Sequence, residues 1–403
     1  MALTNALSYT ASALLPNWLP EKPSRIAVAM SGGVDSSVVA WLLAKAGHDV
    51  VGLTAWTLNG PGACCNDALV NAGRVCEDLG CDFDTVDLRA EFSHYVMDYY
   101  QKSYLKGLTP NPCVECNRYV KWELLLKYAT EQLGVDYVAT GHYVRLQKSE
   151  RGTHVLRARD PRKDQTYMLS RVLQPDIARA IFPLGNWIKP DVVALAKEVG
   201  IPTAYSKESM DVCFVLDGQA NYLTQTLGTT PGSIVDIDTG KVVGHHEGYY
   251  FFTVGQRKGV KVAAGRPVYV VKTEASTNTV YIGDAHHLEA SSLEAFDINW
   301  LQVPPTLHTE GGFASMVKFR YNTPPQKAWV APLVEGSTRF RVTFEKPVQA
   351  VTKGQIAAFY CPDDRELYGG GFIEEAISHV PFDPETAPEP PDLWENCPVP
   401  SSV

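Results

Sequence analysis

No stretch of this 403-residue chain is apolar for long enough to cross a bilayer as a helix, so no membrane-spanning helix is expected. Positive charge is also short: Lys and Arg number 36 against 45 Asp and Glu, giving a net charge of −9. That balance excludes a protein that coats nucleic acid over its whole surface, although a local basic face can still act inside an acidic chain. The familiar nucleotide signatures are missing too. No Gly-x-x-x-x-Gly-Lys-Ser/Thr occurs, and no Gly-x-Gly-x-x-Gly follows the first strand-like run. Internal repeats are absent. A second Cys-x-x-Cys and a well-spaced His pair are lacking as well, so nothing completes a four-ligand zinc site. The first twenty residues carry an apolar stretch without the basic flank of a secretory signal or the arginines of a transit peptide, and 1–24 read as a loose extension. With nine cysteines, an odd number, a reducing cytoplasmic setting follows, in which a Cys-x-x-Cys is redox, metal-binding or catalytic.

What is present is a soluble, globular composition, 45% hydrophobic and 20% charged, in a chain long enough for two or three domains. Its focus is Ser31-Gly32-Gly33-Val34-Asp35-Ser36-Ser37. Residues 25–30 before it form a short apolar run of the kind a buried parallel strand shows, and 38–46 after it carry a helical apolar face ending at Gly47. Paired glycines let a backbone turn sharply and approach a ligand, and a helix start offers unpaired N–H groups at the positive end of a dipole. The loop therefore reads as a phosphate cradle. Asp35 either holds a metal that bridges phosphate oxygens or caps the helix.

Further along, 50–56 predict a strand, 67–79 a helix, 83–88 a strand, 91–104 and 117–133 helices, and 137–140 a strand running into Gly141-His142. This alternation predicts an α/β, Rossmann-like doubly wound parallel sheet with ligands at the carboxyl ends of its strands, where the cradle and Gly141 both fall. The most basic stretch, 145–171, is either a solvated face or a contact surface. From about 231 the texture changes to short strands with glycine turns, at 233–237, 249–254, 268–272 and 279–282, and a third block over 314–373 suggests a small barrel. The expected organisation is an extension over 1–24, an α/β domain carrying the phosphate cradle over 25–217, a central β-rich domain over 218–290, a C-terminal β-barrel over 291–380, and a disordered, Pro-rich acidic tail over 381–403.

Asn111-Pro112-Cys113-Val114-Glu115-Cys116-Asn117 puts two thiols three apart at the mouth of a helix, with Lys121 following. A helix start and a nearby cation both favour thiolate. Zinc binding, thioredoxin-like redox chemistry and cluster ligation all remain open for such a pair. Cys213 stands alone, while Cys64, Cys65, Cys76, Cys81, Cys361 and Cys397 read as small buried hydrophobes.

The Ser31–Ser36 loop resembles the PP-loop of the ATP pyrophosphatases. Taken with Asn111-Pro112 and Cys116-Asn117, Thr140-Gly141-His142-Tyr143, Lys163-Asp164-Gln165, Cys213-Phe214, Gly255-Gln256-Arg257-Lys258-Gly259 and Gly369-Gly370-Gly371, it resembles the tRNA-specific 2-thiouridylases, the MnmA family, from about residue 25 to 373. The resemblance implies an enzyme that uses ATP and Mg²⁺ to adenylylate the 2-oxygen of a tRNA wobble uridine and then installs sulfur, releasing AMP and pyrophosphate. It implies that Ala29, Met30, Ser31, Gly32, Gly33, Val34, Asp35, Ser36, Ala55 and Gly141 bind ATP. By the same likeness, Asn111, Pro112 and Cys113 face the target base, while Lys163, Asp164, Gln165, Gln256, Arg257 and Lys258, with Arg320 and Tyr321 on a barrel strand, face the anticodon stem-loop. Cys213 would carry a persulfide sulfur from a donor protein or sulfide, and Cys116 would be the nucleophile that frees it. Cys113 departs from the aspartate common in the family, so Cys113, Cys116 and Cys213 could instead hold a 4Fe-4S cluster. Other expectations compete: a PP-loop synthetase of the amidotransferase type, a tRNA-binding protein without catalysis, or a redox module built on the two close cysteines.

Overall fold

Ile26, Ala27 and Val28 lose all contact with solvent, as a strand must when helices cover both faces of its sheet. This strand, β1 (Arg25–Ala29), is the centre of a five-stranded sheet in the computed structural model, which describes residues 19–20, 23–58, 64–205, 212–262, 265–307 and 309–378. Most of the expected extension 1–24 and all of the expected tail 381–403 lie outside the described residues. Two units emerge, one built from 1–97, 113–214 and 300–302, the other from 98–112, 215–299 and 303–403.

In the first unit β2 (Asp49–Trp56), β3 (Asp82–Asp87), β4 (Tyr137–Ala139) and β7 (Ala180–Ile181) join β1 in the order β3-β2-β1-β4-β7, every pairing parallel. The chain leaves β1 toward β2 and β3 and later returns on the other side through β4. The crevice between the carboxyl ends of β1 and β4 is thus the topological switch point, where open α/β sheets bind ligands. Helix α1 (Val34–Lys45) packs Val38, Val39, Leu42 and Leu43 onto this sheet beside α2 (Cys64–Leu79) and α5 (Lys189–Glu198). A hairpin of β5 (Val144–Ser149) and β6 (Gly152–Arg157) follows β4.

Two long helices depart from the plain α-geometry expected of them. Helix α3, over 89–105, contains a π-helical segment at Ser93–Asp98, and α4, over 112–132, contains a longer one at Cys116–Leu125. A π-helix bonds each N–H five residues back rather than four; it is rare and frequently found at functional sites. Helix α4 also begins five residues earlier than the periodicity predicts, because Pro112 starts it without needing an N–H partner.

The second unit holds a small mixed sheet and a barrel. The sheet runs β10-β11-β8-β9 from β8 (Gly232–Asp236), β9 (Val242–His246), β10 (Tyr269–Glu274) and β11 (Thr279–Gly283), with β8 and β11 parallel. Helix α6 (Gln219–Leu227) precedes it. Residues 249–254 are no strand. They open with a 3₁₀ turn, Tyr249–Phe251, because the two buried tyrosines are turned to donate to the carbonyls of Leu105 and Gly228 at 2.5 and 3.0 Å. His245 and His246, expected in a turn, close β9, and buried His246 accepts from the Gly248 N–H at 3.0 Å.

The barrel runs β12 (Glu289–Trp300), β15 (Phe340–Gln349), β14 (Gln326–Pro332), β13 (Phe313–Lys318), β16 (Ile356–Tyr360), β17 (Glu366–Ile377), and a β12–β17 pairing closes it. Phe340, Val342 and Phe344 alternate inward along β15 as the two-residue period demands. The glycine triplet sits in β17, where a Cβ on Gly371 would fall 2.5 Å from the Phe296 carbonyl. Among the described residues no helix is long and apolar enough to cross a membrane.

A candidate phosphate loop and thiol helix

Beyond β1 the chain turns through Gly32, whose φ of +71° suits glycine alone and whose missing side chain leaves room for the Ala68 backbone, 2.4 Å from where a Cβ would stand. Gly33 then caps α1 with extended backbone, and no side chain caps the helix start. The first N–H groups of α1 are therefore left for an incoming anion. Serines brace the turn: Ser36 Oγ accepts from the Ser31 N–H at 3.2 Å, and the Ser36 and Ser37 hydroxyls donate to the Gly33 carbonyl at 3.2 and 2.9 Å. Thr54 of β2 donates to the Met30 carbonyl at 3.0 Å, fixing the end of β1.

Gly141, just past β4, is the other wall. A Cβ there would lie 2.9 Å from Asp35 Cβ and 3.0 Å from the Ser36 nitrogen, so the two strand ends meet backbone to backbone. Ala55 is half-buried near the end of β2. Its neighbour Trp56 lies under the guanidinium of Arg89, 3.8 Å from the ring centroid, and Arg89 is anchored to Asp87 at 2.5 Å.

Asp35 does not cap α1. Its carboxylate accepts from the Lys189 ammonium at 2.8 Å through Oδ1 and 2.6 Å through Oδ2, and from the Tyr143 hydroxyl at 2.9 Å. Tyr143 belongs to a motif the sequence displays. Lys189 lies 154 residues from Asp35 with no local pattern to announce it, and sequence reasoning missed it.

On helix α4, Cys113 is in the first α-turn and Cys116 opens the π-segment, both half-buried. Burial, not the helix start, governs their acidity. It pushes the Cys113 thiol up and the Cys116 thiol up to about 11, with Lys121 only partly opposing the effect. The thiolates expected from the helix mouth are thus suppressed before any ligand arrives. His142 is buried, its Nδ1 2.7 Å from the Thr140 hydroxyl, and burial followed by the charge of Lys121 holds it well below the usual histidine range. Lys121 thus acts on both thiols and this imidazole together. Between the cysteines Glu115 makes a buried ion pair with Arg171 at 3.0 Å, and Asn117 donates to the Cys113 carbonyl at 2.9 Å.

Cys213 is exposed in a turn, and Phe214 anchors that turn edge-on to Phe92 at 5.9 Å. The sulfurs of Cys113, Cys116 and Cys213 do not gather within 4.8 Å of one another; among the described residues the set of possible ligands that does is Asp238, His286 and His287. Cys76 and Cys361 are buried as expected, Cys81 is half-buried, and Cys397 and the side chains of Cys64 and Cys65 lie outside the described residues.

The residues expected along RNA divide into two kinds. Arg257 and Lys258 are exposed and Lys163 is half-buried. Asp164, by contrast, is buried and accepts from Arg157 at 2.8 Å, the Ala158 N–H at 2.9 Å and Thr166 at 2.7 Å, while Gln165 accepts from the Tyr143 N–H at 2.9 Å. In the second unit Gln256 bonds its own loop at Thr253 and Lys258. Arg320 and Tyr321 follow β13 in a turn rather than lying on the strand; Arg320 donates to the Val254 carbonyl at 2.8 Å and to Thr352, and Lys318 lies over the Tyr321 ring. Asn111 and Pro112 are buried at the end of a loop that Gln355 holds by the carbonyls of Thr109 and Pro110, at 3.0 and 3.1 Å.

Comparison with known proteins extends these observations. A tRNA methyl transferase HUP domain description matches residues 24–217, a tRNA methyl transferase PRC-barrel domain matches 220–284, and an aminomethyltransferase beta-barrel domain matches 290–373. The tRNA-specific 2-thiouridylase MnmA of Synechococcus sp. (strain JA-2-3B'a(2-13)) is 43% identical over 90% of this chain and 97% of its own. That of Carboxydothermus hydrogenoformans is 40% identical over 88% of this chain and 98% of its own. A solved structure, the U34-tRNA thiolase NcsA from Methanococcus maripaludis with its [4Fe-4S] cluster, aligns at 19% identity and TM-score 0.34 over 50% of this chain and 66% of that one, too loosely to carry an argument.

Proposed function

Because the chain belongs to the family of tRNA-specific 2-thiouridylases, we propose that its phosphate loop activates a tRNA wobble uridine with ATP and that Cys213 and Cys116 then deliver sulfur to carbon 2. The observation that carries this reading is the loop itself. An uncapped helix start, a Gly141 wall without a side chain and a carboxylate held by Lys189 and Tyr143 together make a cradle for a polyphosphate rather than an ordinary turn. Asp35 is the residue that would hold Mg²⁺, which when bound offsets phosphate charge.

In the first step the uridine 2-oxygen forms a bond to the α-phosphorus, the bond to the bridging oxygen breaks, and pyrophosphate leaves with the electron pair while the base's N3 proton passes to water. Loop N–H groups stabilise the charge that develops on the departing phosphates. In the second step the outer sulfur of a Cys213 persulfide attacks carbon 2 and AMP leaves. The Cys116 thiolate attacks Cys213 sulfur, the sulfur–sulfur bond to the transferred atom breaks, and a Cys116–Cys213 disulfide remains for a cellular thiol to reduce. The exposure of Cys213 suits reception of sulfur from a donor, and at Cys116 the charge of Lys121 opposes the effect of burial and favours the thiolate that attacks, its proton passing to water.

Cys213 faces solvent while Cys113 and Cys116 are half-buried, an arrangement that suits reception of sulfur from a donor better than a closed cage for a 4Fe-4S cluster. The persulfide route is therefore the one we assign. Phosphate contacts to the anticodon stem-loop fall to Lys163, Arg257 and Lys258, whereas Asp164, Gln165, Gln256 and Arg320 fix the backbone that presents them.

Mass analysis of tRNA after incubation with ATP, Mg²⁺ and a persulfide donor tests the reading. Wild type should add one sulfur per tRNA and release AMP, while Cys116→Ser and Cys213→Ser should each lose the sulfur gain. Thiolation by Cys116→Ser at the wild-type rate, or stoichiometric iron in anaerobically purified protein, would overturn it.

A further inference from the structure

The least expected side chain in the cradle is Lys189. Its own N–H, at the first position of α5, donates to the almost fully buried Asp160 carboxylate at 3.2 Å, so the residue enters from a fixed base. Its ammonium reaches both oxygens of Asp35 at 2.6 and 2.8 Å and lies 6.0 Å from the Tyr143 ring centroid. Only 15% of the Lys189 side chain is exposed, against 25% for Asp35, so the pair is largely sheltered from the screening that makes surface ion pairs weak. A bare carboxylate at this helix start would repel a polyanion. An ammonium beside it cancels that repulsion, and a lysine is a compact point charge well suited to phosphate oxygens.

We propose that Lys189 is a catalytic residue of the ATP half-reaction: Asp35 and Tyr143 hold its ammonium at the loop, and on nucleotide binding that ammonium pairs with the β- and γ-phosphates and stabilises the departing pyrophosphate. This rests on the ATP-dependent reading above. Lysine keeps its proton throughout; the bond made is from the attacking oxygen to the α-phosphorus, the bond broken is from the α-phosphorus to its bridging oxygen, and the electron pair leaves on pyrophosphate. The ammonium meets the charge where it accumulates, which is where electrostatic stabilisation acts on rate.

Equilibrium binding to the full chain, without tRNA, separates the possibilities. Lys189→Met should weaken Mg-ATP and Mg-pyrophosphate by about tenfold or more while AMP, which lacks the outer phosphates, changes by less than about twofold. Lys189→Arg should recover part of the ATP loss, and the melting profile reports whether the variants fold. A double-mutant cycle distinguishes direct contact from mere neutralisation of Asp35. In an Asp35→Asn background Lys189→Met should still weaken metal-free pyrophosphate; if it has no effect there, or if AMP and ATP fall equally, the proposal is overturned. Absence of ATP binding by wild type would instead remove the ATP reading itself, and the proposal with it.

Discussion

Between the two close cysteines, Glu115 and Arg171 form an ion pair 3.0 Å apart whose side chains are only 7% and 6% exposed. Removing one partner of such a pair strands the other charge in a poorly solvating interior, typically at about 3–5 kcal/mol. Glu115→Gln keeps a hydrogen-bond acceptor of nearly the same shape, so the lower end applies, about 3 kcal/mol. For a unit of roughly 200 residues each kcal/mol lowers the melting midpoint by about 2–4 °C, which places the expected drop at about 6–12 °C. The assay is thermal melting of the full chain followed by near-ultraviolet circular dichroism. Because the pair anchors the turn that carries Cys113 and Cys116, Cys116 should also become more accessible to alkylation below the melting transition. The double replacement Glu115→Gln with Arg171→Met leaves no stranded charge and should regain most of the loss. A drop below about 2 °C for the single variant, or a double variant worse than the sum of its parts, would refute the reasoning.

Four further outcomes follow from the same unit. With its thiol pushed up to about 11, Cys116 is almost wholly protonated at neutral pH, so its alkylation rate should climb about tenfold per pH unit from 7 toward 10 without a plateau. Lys121→Met removes the cation that opposes this shift and should slow Cys116 alkylation at every pH in that range; an unchanged rate, read by mass spectrometry of the labelled peptide, would show that Lys121 does not act on the thiol. Gly141→Ala should weaken ATP binding through a backbone clash costing about 1–3 kcal/mol, since its Cβ would stand 3.0 Å from the Ser36 nitrogen as well as 2.9 Å from Asp35 Cβ. Gly73→Ala is the contrasting case: its Cβ would meet Phe83 at an ordinary 3.6 Å inside helix α2, so stability should rise by about 0.5–1 kcal/mol, and equal behaviour of the two variants in calorimetry and ATP titration would contradict the packing argument.

Local chemistry was legible without coordinates wherever neighbours in sequence are neighbours in space. The apolar run of β1, the glycine turn and the face of α1 state their conformations within twenty residues, because strand and helix periods are short-range properties. The parallel pairing of the first sheet, though not its strand order, followed from strand and helix alternation. The barrel was readable from β15, whose buried positions alternate through Phe340, Val342 and Phe344. Where a local pattern was overruled, a distant partner did it. Residues 249–254 have strand composition, but Tyr249 and Tyr250 gain more by reaching the carbonyls of Leu105 and Gly228 than by pairing edge to edge. Asp164 and Gln165 sit in the most basic stretch of the chain and looked like part of a solvated contact surface, yet they turn inward to satisfy buried N–H groups.

By itself the sequence determined most of the strands, helices and turns, that a glycine loop at a strand end offers N–H groups to an anion, and that three cysteines are available for sulfur chemistry. Tertiary structure alone decided what each of those groups faces. It brought Lys189 to Asp35 across 154 positions, set Arg171 against Glu115 across 56, and placed Gly141 where no side chain fits. It also reversed the expected acidity of Cys113 and Cys116, because a thiol's ionisation depends on the burial around it more than on the helix that bears it. The physical reason is the same throughout: backbone periodicity is a local property, while charge, solvation and close packing depend on which distant segments the fold returns to the same place.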